Sequence, residues 1–167
     1  MKDLPGAQLA NALHALGVEF VLSDEETTTS LKDQPLRLIS ALASSTESRL
    51  RLALIPLFLQ HPEFASYVRT AAGRLSPPAR VTLQCYYSAA AWLQRKYQAR
   101  LSRLLGRKPI LPDLFSKELD IVIQEDPETN LRALALRHQV LSRRKINWLG
   151  TYEQGAKKFM SHLDRQN

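Results

Sequence analysis

The stretch PPARVTLQCYYSAAAWLQRKYQARLSRLL, residues 77–105, decides how the rest of the chain is read. Ser76 precedes it as a residue able to cap, and Pro77 suits a first helical position, where its missing N–H has no intrahelical partner to lose. From Ala79 to about Gly106 nothing breaks a helix, and Tyr86, Ala90, Leu93, Tyr97, Leu101 and Leu104 recur at steps of three and four. That spacing predicts one long central helix with a continuous apolar stripe.

Toward the N-terminus the same periodicity returns in shorter pieces. AQLANALHAL (7–16) carries Leu9, Leu13 and Leu16 and is stopped by Gly17. VEFVL (18–22) reads as extended, with no second run of that kind to pair with it. Residues 23–34, SDEETTTSLKDQ, are polar and aperiodic, so 1–34 is expected to form an arm of one helix plus an acidic linker and 35–167 the core domain. Pro35 opens a helix with Leu36, Ile39 and Leu42 on one side. TESRLRLALIPLFLQ (46–60) becomes almost wholly apolar, with a kink or break expected at Pro56. His61-Pro62-Glu63 restarts a helix in FASYVRTAAGRL.

Toward the C-terminus, DLFSKEL (113–119) reads as about two turns of helix. Asp126-Pro127-Glu128 opens another helix, with Leu131, Leu134, Ala135, Val140 and Leu141 as its expected buried side and Arg143-Arg144-Lys145 at its end. Asn147-Trp148-Leu149-Gly150 reads as a tight connection, and Thr151 with Gln154 has capping-box spacing before the last helix. The fold class expected is all-α, an irregular bundle of about six or seven helices around one long central helix.

Charge is the second signal. The formal net charge is +7, and between Glu63 and Asp113 there is no acidic residue at all. QRKYQARLSRLLGRK (94–108) holds Arg95, Lys96, Arg100, Arg103, Arg107 and Lys108, and the spacing of Lys96, Arg100, Arg103 and Arg107 puts them along one face. With Arg143, Arg144 and Lys145 they form the candidate interaction surface. An acidic protein face would pair with it, given an apolar anchor for affinity. Nucleic acid is the alternative, with the arginines on phosphates and Tyr86, Tyr87, Trp92 or Tyr97 as stackers, although the spacing places Tyr86 and Tyr97 in the core.

Other chemistry has no anchor. His14, His61, His138 and His162 lie on separate segments, Cys85 is the lone cysteine, and neither a phosphate loop nor a nucleophile elbow occurs. No metal site, cofactor or catalytic residue is expected. LALIPLFL (52–59) is far short of the roughly 20 residues of a membrane span, and with one cysteine and no secretory leader the reading is cytoplasmic. Arg132 and His138 resemble the arginine and histidine spacing of HEPN ribonucleases. That motif commonly has a polar residue where Ala133 stands, so the pair is read as a solvated arginine and a half-buried histidine.

RLRLALIPLFLQHPEFA (49–65), INWLGTYE (146–153) and PPARVTLQCYYSAAAWLQR (77–95) resemble a family of small all-helical bacterial proteins. Its genes accompany nucleotidyltransferase-like proteins in toxin and antitoxin or defence arrangements. The resemblance spans most of 36–165 and implies a regulatory protein partner that holds the chemistry. This chain has no Gly-Ser turn followed by an Asp-x-Asp or Asp-x-Glu metal pair of its own. The expected function is therefore a non-enzymatic, antitoxin-like interaction module. A nucleic-acid-binding subunit of a defence complex is the alternative, and a HEPN-like ribonuclease the more distant one.

Overall fold

Helices are the regular elements among the residues that the computed structural model describes, 5–18, 31 and 33–166. In chain order they are α1 (Gly6–Ala15), α2 (Pro35–Ser44), α3 (Ser48–Leu52), α4 (Leu54–Gln60), a 3₁₀ segment (Pro62–Tyr67), α5 (Val68–Arg74), α6 (Pro77–Lys96), α7 (Gln98–Leu105), α8 (Pro127–Ser142) and α9 (Trp148–Gln166). The all-α expectation holds, with more and shorter helices than foreseen. Most of VEFVL and of the acidic linker lies outside the described residues. Val18 and Leu31, at their edges, are buried in the common core.

α6 is the axis, packing against α2, α4, α5, α8 and α9. Every side chain from Cys85 to Gln94 is buried, so the predicted stripe widens to the full circumference of the helix. The small residues Ser88, Ala89, Ala90 and Ala91 allow that close approach on all sides. Two polar groups on this buried stretch hold the loop after α7. Gln94 donates to Pro109 O (2.9 Å) and accepts from Leu111 N (2.7 Å), and the Tyr87 hydroxyl donates to Pro112 O (2.7 Å).

The single long helix ends sooner than the sequence suggests. At Tyr97 the backbone moves to φ −107°, ψ 24°, and α7 starts afresh at Gln98. Neither proline nor glycine marks the spot. The bend accompanies tertiary bonds: the Tyr97 hydroxyl donates to Glu153 of α9, and Lys96 donates to Glu128 (2.6 Å) and Glu153 (2.7 Å). α9, at 19 residues, is nearly as long as the 20-residue α6, so no helix is uniquely long.

Elsewhere some local signals set the backbone and others yield to tertiary contacts. Gly17, at φ +82°, closes α1 in a Schellman arrangement in which Val18 N donates to Leu13 O (2.8 Å) and Gly17 N to His14 O (2.9 Å). The break near Pro56 falls at Ala53 instead, leaving Pro56 in the first turn of α4. The proline has no N–H to give Leu52 O, four residues back, so it is that turn which opens. DLFSKEL forms turns rather than two turns of helix, closed by Asp120 at φ 59° with Ile121 N donating to Ser116 O (2.8 Å). Ser76 holds the N-cap position of α6 but its hydroxyl makes no capping bond. α9 begins at Trp148, so Trp148, Leu149 and Gly150 form its first turn rather than a connection, with Asn147 just before it. Asn147 Oδ1 accepts from Gly150 N (2.9 Å), and a Cβ on Gly150 would lie 2.6 Å from Asn147 Nδ2.

Candidate interaction face

The predicted basic ridge is divided by its own neighbours. Lys96 is held by Glu128 and Glu153, and Arg100 by Asp164 (2.6 Å), so this part of the row ties α6 and α7 to α8 and α9. Burial alone would lower the Lys96 pKa, but its two carboxylate hydrogen bonds outweigh that and raise it. Burial would likewise raise Glu153, and the bonds from Lys96 and Tyr97 prevail to lower it. Arg95 lies back over the Trp92 ring (4.9 Å to the centroid) and donates to Ala91 O (2.8 Å). Arg103 and Arg107 are exposed and Lys108 half-buried, with no carboxylate partner among the described residues. The proposed stackers Tyr86, Tyr87 and Trp92 are buried, and Tyr97 is half-buried with its hydroxyl on Glu153.

The second cluster has different surroundings. α8 is capped by Asp126, whose carboxylate accepts from Glu128 N (3.4 Å) and from the Thr129 hydroxyl (2.9 Å). It buries Asn130, Leu131, Leu134 and His138, a narrow row at steps of one, three and four. Asn130 is fully enclosed and satisfied, donating to Gln124 O (2.9 Å) and accepting from Gln124 N (2.8 Å), which fixes the loop leading into α8.

Val140 and Leu141 do not join that buried row. Val140 is 62% exposed, Leu136 68% and Leu141 37%. Leu136 was given no role by the sequence reading, and Val140 and Leu141 were expected in the core. Apolar residues surround α8 on nearly every side, so periodicity alone cannot tell which of them face inward. Arg132, Leu136, Val140 and Arg143 fall at steps of four, four and three, one outward stripe with a cation at each end. Arg132 pairs with Glu128 (3.2 Å). Arg143, in the left-handed region at φ 58°, turns the chain out of α8, and Arg143, Arg144 and Lys145 are exposed without an acidic partner among the described residues.

Directly behind this stripe lies an aromatic stack. His138 is 2% exposed and sits 3.6 Å from Trp148 at an interplanar angle of 16°, with Tyr152 parallel on 5.8 Å and Tyr86 edge-on at 5.6 Å. Its Nδ1 shares a 2.7 Å hydrogen bond with the Tyr152 hydroxyl. Burial drives its pKa down from 6.5 to about 3, so it is neutral at pH 7. Arg132 points to solvent and His138 into the core, so the two residues of the ribonuclease-like spacing are not brought onto one surface. Cys85 is fully buried, and burial pushes its thiol up to about 12. Among the described residues no cluster of ligands could hold a metal ion, and no helix is long and apolar enough to cross a membrane.

No family model, curated protein or solved structure matches this chain.

Proposed function

We propose that the chain is a non-enzymatic interaction module, an antitoxin-like regulatory partner that docks on the acidic face of a bacterial effector, nucleotidyltransferase-like or other. One observation carries the reading: Leu136 and Val140 stand exposed on the outer face of α8, in line with Arg132 and with Arg143, Arg144 and Lys145, which have no acidic partner among the described residues. Exposed apolar side chains rimmed by like charges suit a protein groove with an acidic rim, since the apolar pair supplies affinity and the cations supply orientation and rate. Phosphate contacts alone would leave the apolar pair exposed.

The exposed Arg103 and Arg107, without a carboxylate partner among the described residues, favour the second reading, a nucleic-acid-binding subunit, because they offer phosphate contacts. Burial of Tyr86, Tyr87 and Trp92 counts against it, since single-strand binding draws much of its energy from accessible stacking rings.

The tagged chain, used as bait in extract from its native host, is expected to retain one specific protein after nuclease treatment and at about 0.5 M salt. A complex resting on phosphate contacts loses orders of magnitude in affinity over that range. Release of the captured material by nuclease, or its loss at that salt concentration, would decide for the nucleic-acid reading.

A further inference from the structure

A cleft of about 1220 Å³ opens between the ends of α2, α5 and α8 and the starts of α3 and α6. Four arginines reach its wall from distant parts of the chain: Arg51 on α3, Arg74 at the end of α5, and Arg143 and Arg144 after α8. The one carboxylate on the wall, Glu47, is engaged by Arg49 at 3.0 Å. None of the four arginines has an acidic partner among the described residues, whereas Lys96, Arg100 and Arg132 are all paired. Arg51 is steadied by donating to Ser45 O (2.8 Å), which leaves the rest of its guanidinium open.

The wall is not only cationic. Leu75, Val81, Leu141 and Trp148 give it an apolar side, and the hydroxyls of Ser44, Thr46 and Ser76 line it without a hydrogen-bond partner among the described residues. Tyr86, almost wholly buried, also lines the cleft, and burial pushes its hydroxyl up to about 12 while Arg51 and Arg144 pull the other way. The start of α6 adds little, because Pro77 and Pro78 have no N–H to offer an anion.

Helix dipoles account for a cation near the end of α5 or α8 taken singly. They do not account for four arginines from three parts of the chain lining one concave surface. The volume exceeds the usual range of about 300 to 1,000 Å³ for small-molecule sites, so a bare anion would fill a small part of it and leave the apolar wall wet. Arginine pairs phosphate oxygens bidentately, and a flat ring with a sugar suits an apolar wall beside free hydroxyls.

We infer that this cleft binds a nucleoside phosphate, either a free nucleotide or the phosphorylated terminal nucleotide of a strand. The cleft shares Arg143 and Arg144 with the basic end of the docking stripe, but neither Leu136 nor Val140 lines it. Ligand titration of the chain alone, without a protein partner, tests the proposal separately from the protein-partner reading.

Isothermal titration of the full chain with the four common nucleoside 5′-monophosphates tests it, with inorganic phosphate, the matching nucleosides and a 5′-phosphorylated or 5′-hydroxyl pentanucleotide alongside. At least one monophosphate is expected to bind about tenfold or more tightly than phosphate or its nucleoside, because only it engages both walls. Arg74→Ala with Arg144→Ala should weaken that binding by at least about 30-fold, as the loss of two charge-assisted contacts requires. These two side chains make no hydrogen bond or ion pair within the described residues, so the melting temperature should hold. Arg103→Ala with Arg107→Ala, outside the cleft, should change nothing. A phosphorylated pentanucleotide that matches or exceeds the free nucleotide, with its 5′-hydroxyl form weak, assigns the strand end. Preference for the mononucleotide assigns the free ligand. Absence of binding by all of them, equal binding of inorganic phosphate, or an equal loss in the Arg103 and Arg107 variant overturns the proposal.

Discussion

Replacing both Leu136 and Val140 by glutamine is expected to weaken the complex with the protein partner by about 100-fold or more while leaving the fold intact. The two side chains are 68% and 62% exposed in the free chain, so their apolar surface is available to be buried on binding. Full burial of a leucine or valine contributes about 1.5–3 kcal/mol, and an anchor lost from the centre of an interface costs about 2 kcal/mol or more. Together these exceed the roughly 2.7 kcal/mol that corresponds to a factor of 100. Neither residue belongs to the core, so the melting temperature should shift by no more than an ordinary surface substitution, within about ±0.5 kcal/mol. Surface plasmon resonance on wild type and variant, paired with thermal unfolding of each, reads both quantities. A variant that binds as well as wild type removes the stripe from the interface.

Acid is expected to destabilise the fold through His138 well before the carboxylates titrate. Folded His138 has its pKa driven down from 6.5 to about 3 by burial, against Trp148, Tyr152 and Tyr86, with no carboxylate to offset the loss of solvation. Between those values the unfolded chain binds a proton that the folded chain refuses, so stability is full above pH 6.5 and falls as the pH drops toward 3. At about pH 5 the loss should be about 2 kcal/mol relative to pH 7. Glu153 acts in a lower window. Its folded pKa is lowered, so its contribution persists above the ordinary carboxylate range of about 4.3 and is lost only below it. Urea unfolding at the two pH values measures the difference, and His138→Phe, less stable at pH 7 for want of the Tyr152 bond, should show a much flatter pH dependence. An equal slope in that variant would place the titrating group elsewhere.

The order of the elements was legible where one residue dictates the local backbone. Gly17 ends α1 because φ +82° suits glycine, Pro35 and Pro127 open helices where no N–H is needed, and Asp126 caps α8 as expected. The sequence was silent where tertiary contacts decide. Tyr97 is a good helix residue by spacing, and only the partners of its hydroxyl and of Lys96 on α8 and α9 account for the bend. Asn147 opens α9 through a bond to Gly150 that capping-box spacing at Thr151 disguised.

The candidate surfaces divide in the same way. The cations of 94–108 could be counted from the sequence, but not that Lys96 and Arg100 spend their charge on Glu128, Glu153 and Asp164. Leu136 and Val140 were hidden by the surplus of apolar residues on α8, of which only Leu131 and Leu134 are fully buried. Arg51, Arg74 and Arg144 are far apart in the chain, and no spacing rule brings them together.

The central claim, that the outer stripe of α8 is the docking face, is tested most directly by hydroxyl-radical footprinting of side chains in the free chain and in the purified complex. Leu136 and Val140 report on the stripe, and Ile110, 49% exposed and two residues after Lys108, reports on the basic ridge. Oxidation of Leu136 and Val140 is predicted to fall several-fold in the complex while Ile110 stays as reactive as before. Unchanged reactivity at Leu136 and Val140, with Ile110 protected, would contradict the account and move the interface to the ridge.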